Sequence, residues 1–266
     1  MSEIGLSPFM NYILTFMLVI AGLFAGILVL LETGRRLRIW RGATPAGPGP
    51  GAAVLEGAVF GLMSLMIAFT FNGASSRLDE RRHLAVEEAN AIGTAYLRID
   101  LLPSDVQPEL RDKFRQFVDA RLAFYRNVSR ADQAQAELSR AAELQHEIWA
   151  MAVAGTQRAA SPAVTTLVLP ALNEMFKLSE MRTVALETHP PSIIFAMLGI
   201  LVLSCSMIAG DAMEGSGARH WVQRLVFAVM MTIVIYVILD IEYPRMGLIT
   251  ADTVDRVLLD LRQSMH

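Results

Sequence analysis

The chain contains few of the residues that build covalent or metal-centred sites. It has 1 cysteine, Cys205, and 5 histidines, which are scattered without the spacing of metal ligands. A single cysteine excludes an intramolecular disulfide and a cysteine-based zinc site. His146-Glu147 is a fragment of a zinc-protease motif that lacks the second histidine. We therefore predict no metal, no cofactor and no catalytic residue, and an enzyme would need a site that the sequence does not show.

Two other features are also scarce, namely strand patterns and an excess of charge of one sign. The formal net charge is −3, and basic residues do not dominate any long segment, so the sequence has no electrostatic footprint for nucleic acid. Apolar residues recur at helical spacings through most of the polar sequence, while alternating strand patterns are nearly missing. The sequence therefore predicts an all-α protein.

Apolar sequence is abundant, since 53% of the residues are hydrophobic, and it is concentrated in four long stretches. A helix rises ~1.5 Å per residue, so about 20 residues cross a hydrocarbon core of about 30 Å. All four stretches meet that length and carry at most one charge each. They are Phe9–Leu31, Ala52–Phe71, Pro191–Gly210 and Val222–Leu239.

The stretches lie two and two around a polar region, which predicts four transmembrane helices with an extramembrane helical bundle inserted between the second and third. Four domains follow from this division. They are 1–71, with spans one and two and a Gly/Pro-rich loop; 72–190, the bundle; 191–239, with spans three and four; and 240–266, a juxtamembrane motif and amphipathic tail.

No break follows the second span, so its helix is expected to continue into the bundle. Apolar residues repeat there at heptad-like spacings from Leu78 to Ile99. We predict that this helix runs to Leu102 and that Pro103 stops it. Ser104 with Gln107 has the pattern of a capping box for the next helix. The tail that carries Leu258 is expected to pack on the bundle or on the lipid surface.

Arginines in short loops predict the orientation, because such residues favour the cytoplasm. The first loop carries Arg35, Arg36, Arg38 and Arg41, and the loop between spans three and four carries Arg219. Both loops are therefore expected in the cytoplasm, which places the bundle and both termini outside a bacterial inner membrane.

Small residues spaced four apart let helices approach closely in lipid. Gly22 with Gly26 in span one, and Gly57 with Gly61 in span two, have this spacing. The pattern fits packing of spans one and two within a chain, and it also fits an interface between subunits.

Two charged residues lie about one turn inside the membrane stretches, and both are candidates for a structural ion pair. Glu56 is in span two and Arg224 is in span four. A lone charge there is costly, so one hypothesis pairs the two residues. The alternative is that each side chain reaches the membrane surface separately.

Met63, Ile67 and Phe71 form an apolar stripe at spacing four on span two. Such a stripe is usually core or faces lipid. If span two lined the axis of an oligomer, the same stripe would form apolar rings, which gate ions by dewetting.

A charged cluster follows span two and includes Arg77, Arg81 and Arg82. It is either a charged vestibule beside that axis or a set of ion pairs on a helix surface, each worth a few tenths of a kcal/mol.

Three segments carry a resemblance to a known family. The first runs from Arg81 to Pro103 and contains Glu-Glu-Ala-Asn at 87–90. The second contains 173–175, Arg182 and His189-Pro190, and the third is 240–249 with its Pro-Arg-x-Gly-Leu-Ile ending. Across essentially its whole length the chain resembles the bestrophin-like family of bacterial membrane proteins.

The resemblance implies kinship with bestrophins, which are pentameric anion channels. Their narrow neck is formed by apolar residues spaced four apart on the second span, and Met63, Ile67 and Phe71 match that spacing. Bestrophins keep their helical domain in the cytoplasm, whereas the arginine loops here predict the outside.

Two functions follow as expectations. The first is a homo-oligomeric pore for inorganic ions, anions by the resemblance, with span two lining the axis. The second is a non-conducting scaffold or sensor whose helical domain binds a partner. In both, the lipid bilayer is the surrounding medium.

Overall fold

The structure is a computed structural model that describes residues 8–42, 50–128, 130–212, 218–243 and 252–265. Most of the predicted Gly/Pro-rich loop and the 244–249 segment lie outside these ranges.

The described residues form helices joined by short connections, and the predicted all-α class is confirmed. Four of these helices, α1, α2, α6 and α7, are long and apolar enough to cross a membrane. The helices are α1 (Pro8–Trp40), α2 (Pro50–Arg98), α3 (Gln107–Asn127), α4 (Ala131–Gln157), α5 (Ala163–Glu187), α6 (Ser192–Ala212), α7 (Ala218–Glu242) and α8 (Asp252–Ser264).

Helix α2 is continuous from its apolar first half into its polar second half. It begins at Pro50, and proline suits the first turn of a helix because the amide there needs no partner. A 3₁₀ turn, Ile99–Leu101, follows its end, and Pro103 comes two residues later. The predicted continuation of the second span is therefore confirmed.

The start of α3 differs from the predicted capping box. The residue before the helix is Val106, and no side chain caps the first turn. The Gln107 side chain instead donates a 2.8 Å hydrogen bond from Nε2 to the carbonyl oxygen of Leu102. It therefore ties the helix start to the end of the preceding turn rather than reaching Ser104.

The chain divides into two compact units. The helical unit contains Arg77–Thr188 together with α8, and the apolar unit contains 10–76 and 189–243.

The core of the helical unit is built from one face of each of its helices. Helix α3 packs against α4, and α5 packs against α4 as well. Phe114, Phe117 and Tyr125 of α3 are fully buried at its centre, and Ile148 of α4 joins them. Helix α8 lies on α3, where Leu258 is buried in the same core. The amphipathic tail thus packs on the bundle.

The core of the apolar unit joins α1, α2, α6 and α7. Its buried members include Ile27 and Leu31 of α1, Val202 of α6 and Ile238 of α7. Apolar side chains have no preference for one another over lipid tails, so such a core depends on close packing.

Two glycines allow α1 and α6 to touch through their backbones. A Cβ atom on Gly34 would lie 2.0 Å from the Met207 carbonyl oxygen, and one on Gly210 would lie 2.0 Å from the Leu31 carbonyl oxygen. By contrast, Gly22, Gly57 and Gly61 have open space where a Cβ would be, and Gly26 has only the Leu203 side chain at 3.2 Å. Gly34 and Gly210, which the spacing rule missed, make the closest contact.

Substituting either contact glycine should force α1 and α6 apart. We expect Gly34→Ala and Gly210→Ala each to lower stability by about 1–3 kcal/mol, because a methyl group would overlap a backbone carbonyl that cannot move alone. Gly22→Ala is the matched control, since its methyl group enters open space. Thermal unfolding in detergent measures the difference, and equal midpoints for the three variants would contradict the assignment.

Candidate functional site

The apolar half of α2 is exposed around most of its circumference, and Met63 and Thr70 are its buried side chains. Leu62, Leu65 and Phe69 are 49%, 51% and 64% exposed and follow one another at helical spacings of three and four. Asn72 and Ser76 continue the same line and are also exposed. We call these five residues the open face of α2. It changes from large apolar side chains to small polar ones toward the end of the span.

The predicted stripe contains both buried and exposed side chains. Met63 is only 3% exposed and belongs to the core of the apolar unit, and Ile67 is half-buried against that core. Phe71 is 45% exposed. Within one chain, therefore, Met63 and Ile67 pack against neighbouring helices. Phe71 is the member of the stripe whose side chain is exposed on the surface of the chain.

The three arginines after the span have different environments. Arg81 is buried, and its guanidinium donates to the carbonyl oxygens of Ala185 at 3.0 Å and Thr188 at 3.1 Å. These carbonyls lie at the end of α5, where a cation is favoured by the helix dipole. Arg82 is exposed, with Asp79 at 3.8 Å. Arg77 lines a cavity of about 460 Å³ between α2 and α5.

Arg224 has a different partner from the one the sequence suggested. Its Nη1 atom lies 2.7 Å from Oε2 of Glu32, at the end of α1. Glu32 also accepts hydrogen bonds from Arg35 and Arg36 of its own helix. Within the described residues no hydrogen bond or ion pair joins Arg224 to Glu56. The physical expectation that the charge of Arg224 is compensated still holds, but α1 supplies the carboxylate.

A fully buried carboxylate, that of Glu88, lies at the centre of the helical unit and accepts hydrogen bonds from three side chains. Its Oε1 accepts from Arg121 Nε at 2.8 Å, and its Oε2 accepts from Arg182 Nη1 at 2.7 Å. Tyr125 donates its hydroxyl to the same Oε2 at 2.9 Å. The carboxylate therefore links α2, α3 and α5.

The two guanidinium groups are held in place by further contacts. Arg121 donates to the Ser179 carbonyl at 2.7 Å, to Thr183 Oγ1 at 3.0 Å and to the Tyr125 hydroxyl. The Arg182 guanidinium carbon lies 3.6 Å from the centre of the Tyr125 ring, a cation–π contact. The cluster thus contains two cations and one anion, with a tyrosine between them.

The charges in this cluster control its ionisation. Burial raises the pKa of Glu88, but the positive charges of Arg121 and Arg182 outweigh burial and hold that pKa below its ordinary value. Burial and the charge of Glu88 raise the pKa of Tyr125. Glu88 is therefore ionised and Tyr125 is neutral at physiological pH.

Sequence reasoning quoted Glu88 and Arg182 as parts of a pattern but did not bring them together. They are far apart in the chain, and the heptad-like seam of α2 gave Glu88 no special place. The sequence did contain one sign of a buried charge, because Glu88 lies among the apolar seam positions 85, 89 and 92. A charge beside such a seam requires a buried partner, and Arg121 was the partner that the sequence left unnoticed.

This architecture, two apolar helices, a helical unit and two more apolar helices, defines a multi-pass membrane protein. The model of the bestrophin-like domain matches residues 19–253. The chain therefore belongs to the bestrophin-like family, as the sequence resemblance indicated. No curated protein matches it.

Two solved structures of a bacterial bestrophin homolog from Klebsiella pneumoniae share the fold. One carries a tryptophan-to-alanine mutation and aligns over 93% of this chain and 98% of its own, with 15% identity and a TM-score of 0.61. The other carries a tyrosine-to-alanine mutation and aligns over 92% and 99%, with 14% identity and a TM-score of 0.66. At these identities the likeness establishes the fold.

Replacing Glu88 should destabilise the helical unit strongly. Glu88→Gln keeps the shape but leaves two buried guanidinium groups without their anion, a loss of about 3–5 kcal/mol. Glu174→Gln removes an exposed partner of Lys177 and should cost about 0–1 kcal/mol. Thermal unfolding of both variants measures the contrast, and similar midpoints would disprove the structural role of Glu88.

The pH dependence of the unfolding free energy tests the same role of Glu88 in the wild-type protein. Because the folded pKa of Glu88 is lowered, its stabilising contribution is complete above the ordinary pKa of glutamate and is lost as the pH falls through the lowered value. The Glu88→Gln variant should lack this part of the acid-induced loss of stability.

Proposed function

We propose that the protein forms a homo-oligomeric ion-conducting pore in a bacterial inner membrane, with α2 lining the axis. The observation that carries the proposal is the open face of α2, on which apolar side chains give way to Asn72 and Ser76. Rings of Leu62, Leu65 and Phe69 around an axis would form a hydrophobic constriction, and a constriction of this type gates ions by dewetting. Anions are the ions that the resemblance to bestrophins implies.

The residues assigned to the constriction differ in part from the original stripe. A side chain that lines an axis must be accessible in one subunit, and Phe69 on the open face meets this condition. Phe71 is also exposed, but it projects about 200° around the helix from Phe69 and so does not share the open face. Met63 and Ile67 instead fix the rotation of α2 by packing on neighbouring helices. Gly57 and Gly61 lie on the exposed side with open space beside them, which favours their use in contacts between subunits.

Exposed apolar side chains on the helical unit also favour an oligomer. Leu97 at the end of α2 is 69% exposed, Leu101 of the following 3₁₀ turn is 43% exposed, and Leu167 of α5 is 44% exposed. Apolar groups clustered on a surface that faces water mark an interaction site. A second copy of the chain is the partner that the pore requires, and five copies is the number that the resemblance implies.

Among the arginines after the span, we assign Arg77 and Arg82 to a positively charged vestibule. Both extend from the half of α2 that follows the open face, and a positive charge there raises the local concentration of anions. We assign Arg81 a structural role instead, because its guanidinium binds the carbonyl oxygens at the end of α5.

The orientation we propose places the helical unit and both termini outside, because arginines are concentrated in the two short loops. Cysteine labelling in a Cys205→Ala background tests it. Ser139 and Trp40 are suitable positions, since both side chains are exposed.

A membrane-impermeant maleimide should label Ser139→Cys in intact cells, and Trp40→Cys only after the cells are permeabilised. The reverse pattern would place the helical unit in the cytoplasm, as in bestrophins.

The pore itself is tested by anion flux into liposomes that contain purified protein. Phe69→Ala should raise the flux, because removing the ring widens the apolar constriction. Phe71→Ala should change the flux less, because its side chain projects from nearly the opposite side of α2. Ile200→Ala is the matched control, since Ile200 of α6 has the same 64% exposure as Phe69 and should leave the flux unchanged.

Two outcomes distinguish the alternatives. A monomer in detergent together with no flux would rule out the pore. A stable oligomer without flux would favour the non-conducting scaffold, whose exposed apolar surfaces would then serve a protein partner.

A further inference from the structure

A second cavity, in the apolar unit, contains charged groups that the proposed pore does not use. It has a volume of about 380 Å³ and is lined by the end of α1, the start of α2 and the end of α6. Arg41, Glu56 and Asp211 contribute charges, and Leu37, Met207 and Ile208 contribute apolar walls. The volume corresponds to on the order of ten water molecules.

Three charged side chains line the cavity without a partner among the residues that the structure describes. There, the guanidinium of Arg41 and the carboxylates of Glu56 and Asp211 make no hydrogen bond or ion pair. Nearby charges behave differently, since Arg224 binds Glu32 and Arg38 donates to the Asp211 carbonyl oxygen at 3.0 Å. Among the described residues, Arg38 and Arg224 therefore have partners at this end of the spans, whereas the three charged side chains that line the cavity do not.

The position of the cavity relative to lipid follows from the helices that line it. Glu56 lies about one turn into the apolar half of α2, while Arg41 and Asp211 lie at the ends of two apolar helices. Residues at this depth lie at the level of the lipid headgroups, where a charge is less costly than at the centre of the bilayer. A ligand from the bilayer can therefore reach the cavity.

We propose that this cavity binds the headgroup of phosphatidylethanolamine. Its phosphate carries one negative charge and suits the guanidinium of Arg41. Its primary ammonium donates three hydrogen bonds and suits the carboxylates of Glu56 and Asp211. The aliphatic walls accommodate the first carbons of the glycerol and acyl chains.

Two other ligands fit less well. Quaternary ammonium groups cannot donate N–H bonds and are typically held by aromatic rings, whereas none of the residues that line this cavity is aromatic. A divalent cation would meet two carboxylates with Arg41 beside them, and no group of three metal-binding side chains occurs in the described residues. The charge pattern therefore favours a primary amine joined to a phosphate.

The test is native mass spectrometry of the full-length protein in detergent with lipids of identical acyl chains. The probes are phosphatidylethanolamine, its mono- and dimethylated forms, phosphatidylcholine and phosphatidylglycerol. The bound fraction should fall at each methylation and be at least about tenfold lower for phosphatidylcholine, because each methyl group removes one charge-assisted hydrogen bond. Equal binding of phosphatidylethanolamine, its methylated forms and phosphatidylcholine would overturn the proposal, as would preferential binding of phosphatidylglycerol. Either result with the wild-type protein is sufficient.

Substitutions of the residues that line the cavity then test whether the lipid binds there. Glu56→Gln and Asp211→Asn should abolish the preference for phosphatidylethanolamine over phosphatidylcholine, whereas Glu56→Asp should keep it. Glu109→Gln, an exposed glutamate of the helical unit, is the matched control for loss of one carboxylate. If the preference survives in the Glu56→Gln, Asp211→Asn double variant, the lipid binds elsewhere and this cavity is not the site.

Discussion

The helical unit depends on one buried carboxylate. Glu88 accepts hydrogen bonds from α3 and α5 through both of its oxygens, so the three helices can meet in only one register. A buried ion pair adds little stability over a well-packed apolar core, but breaking it is costly. Its main consequence here is therefore geometrical. It fixes which face of α2 is buried in the unit and leaves Leu97 on the opposite side.

The apolar unit is organised by a different constraint. Burial of apolar surface does not drive helices together in lipid, so contacts between them depend on shape and on compensated charge. Gly34 and Gly210 make the helix surfaces complementary in shape, because glycine has no side chain and the backbones of α1 and α6 can touch. The Glu32 carboxylate compensates positive charge, because it accepts hydrogen bonds from arginines of two helices, α1 and α7. Once α1, α6 and α7 are positioned in this way, Met63 fills the space between them, and the open face of α2 is what remains uncovered.

The candidate site could be predicted only in part, and particular residues show why. The apolar stripe of span two was visible from its spacing, but spacing does not say which face of a helix neighbouring helices will cover. Met63 and Phe71 belong to one pattern and yet differ from 3% to 45% in exposure. The glycine pattern did not identify the contact between α1 and α6 for a similar reason. A spacing of four marks glycines that can form a contact, whereas the actual contact uses one glycine from each of two helices that are distant in sequence.

The sequence by itself determined the class of the protein and the course of its chain. Four apolar stretches of sufficient length require helices, because lipid offers no partner for backbone amides and carbonyls. The uninterrupted seam after Phe71 determined that α2 would be one long helix. Tertiary structure decided which distant groups meet: Glu88 with Arg121 and Arg182, and Arg224 with Glu32. It also brought Arg41, Glu56 and Asp211 to the lining of one cavity. Local sequence sets hydrogen bonds within a helix, but side chains far apart in the chain meet only when packing brings their helices together.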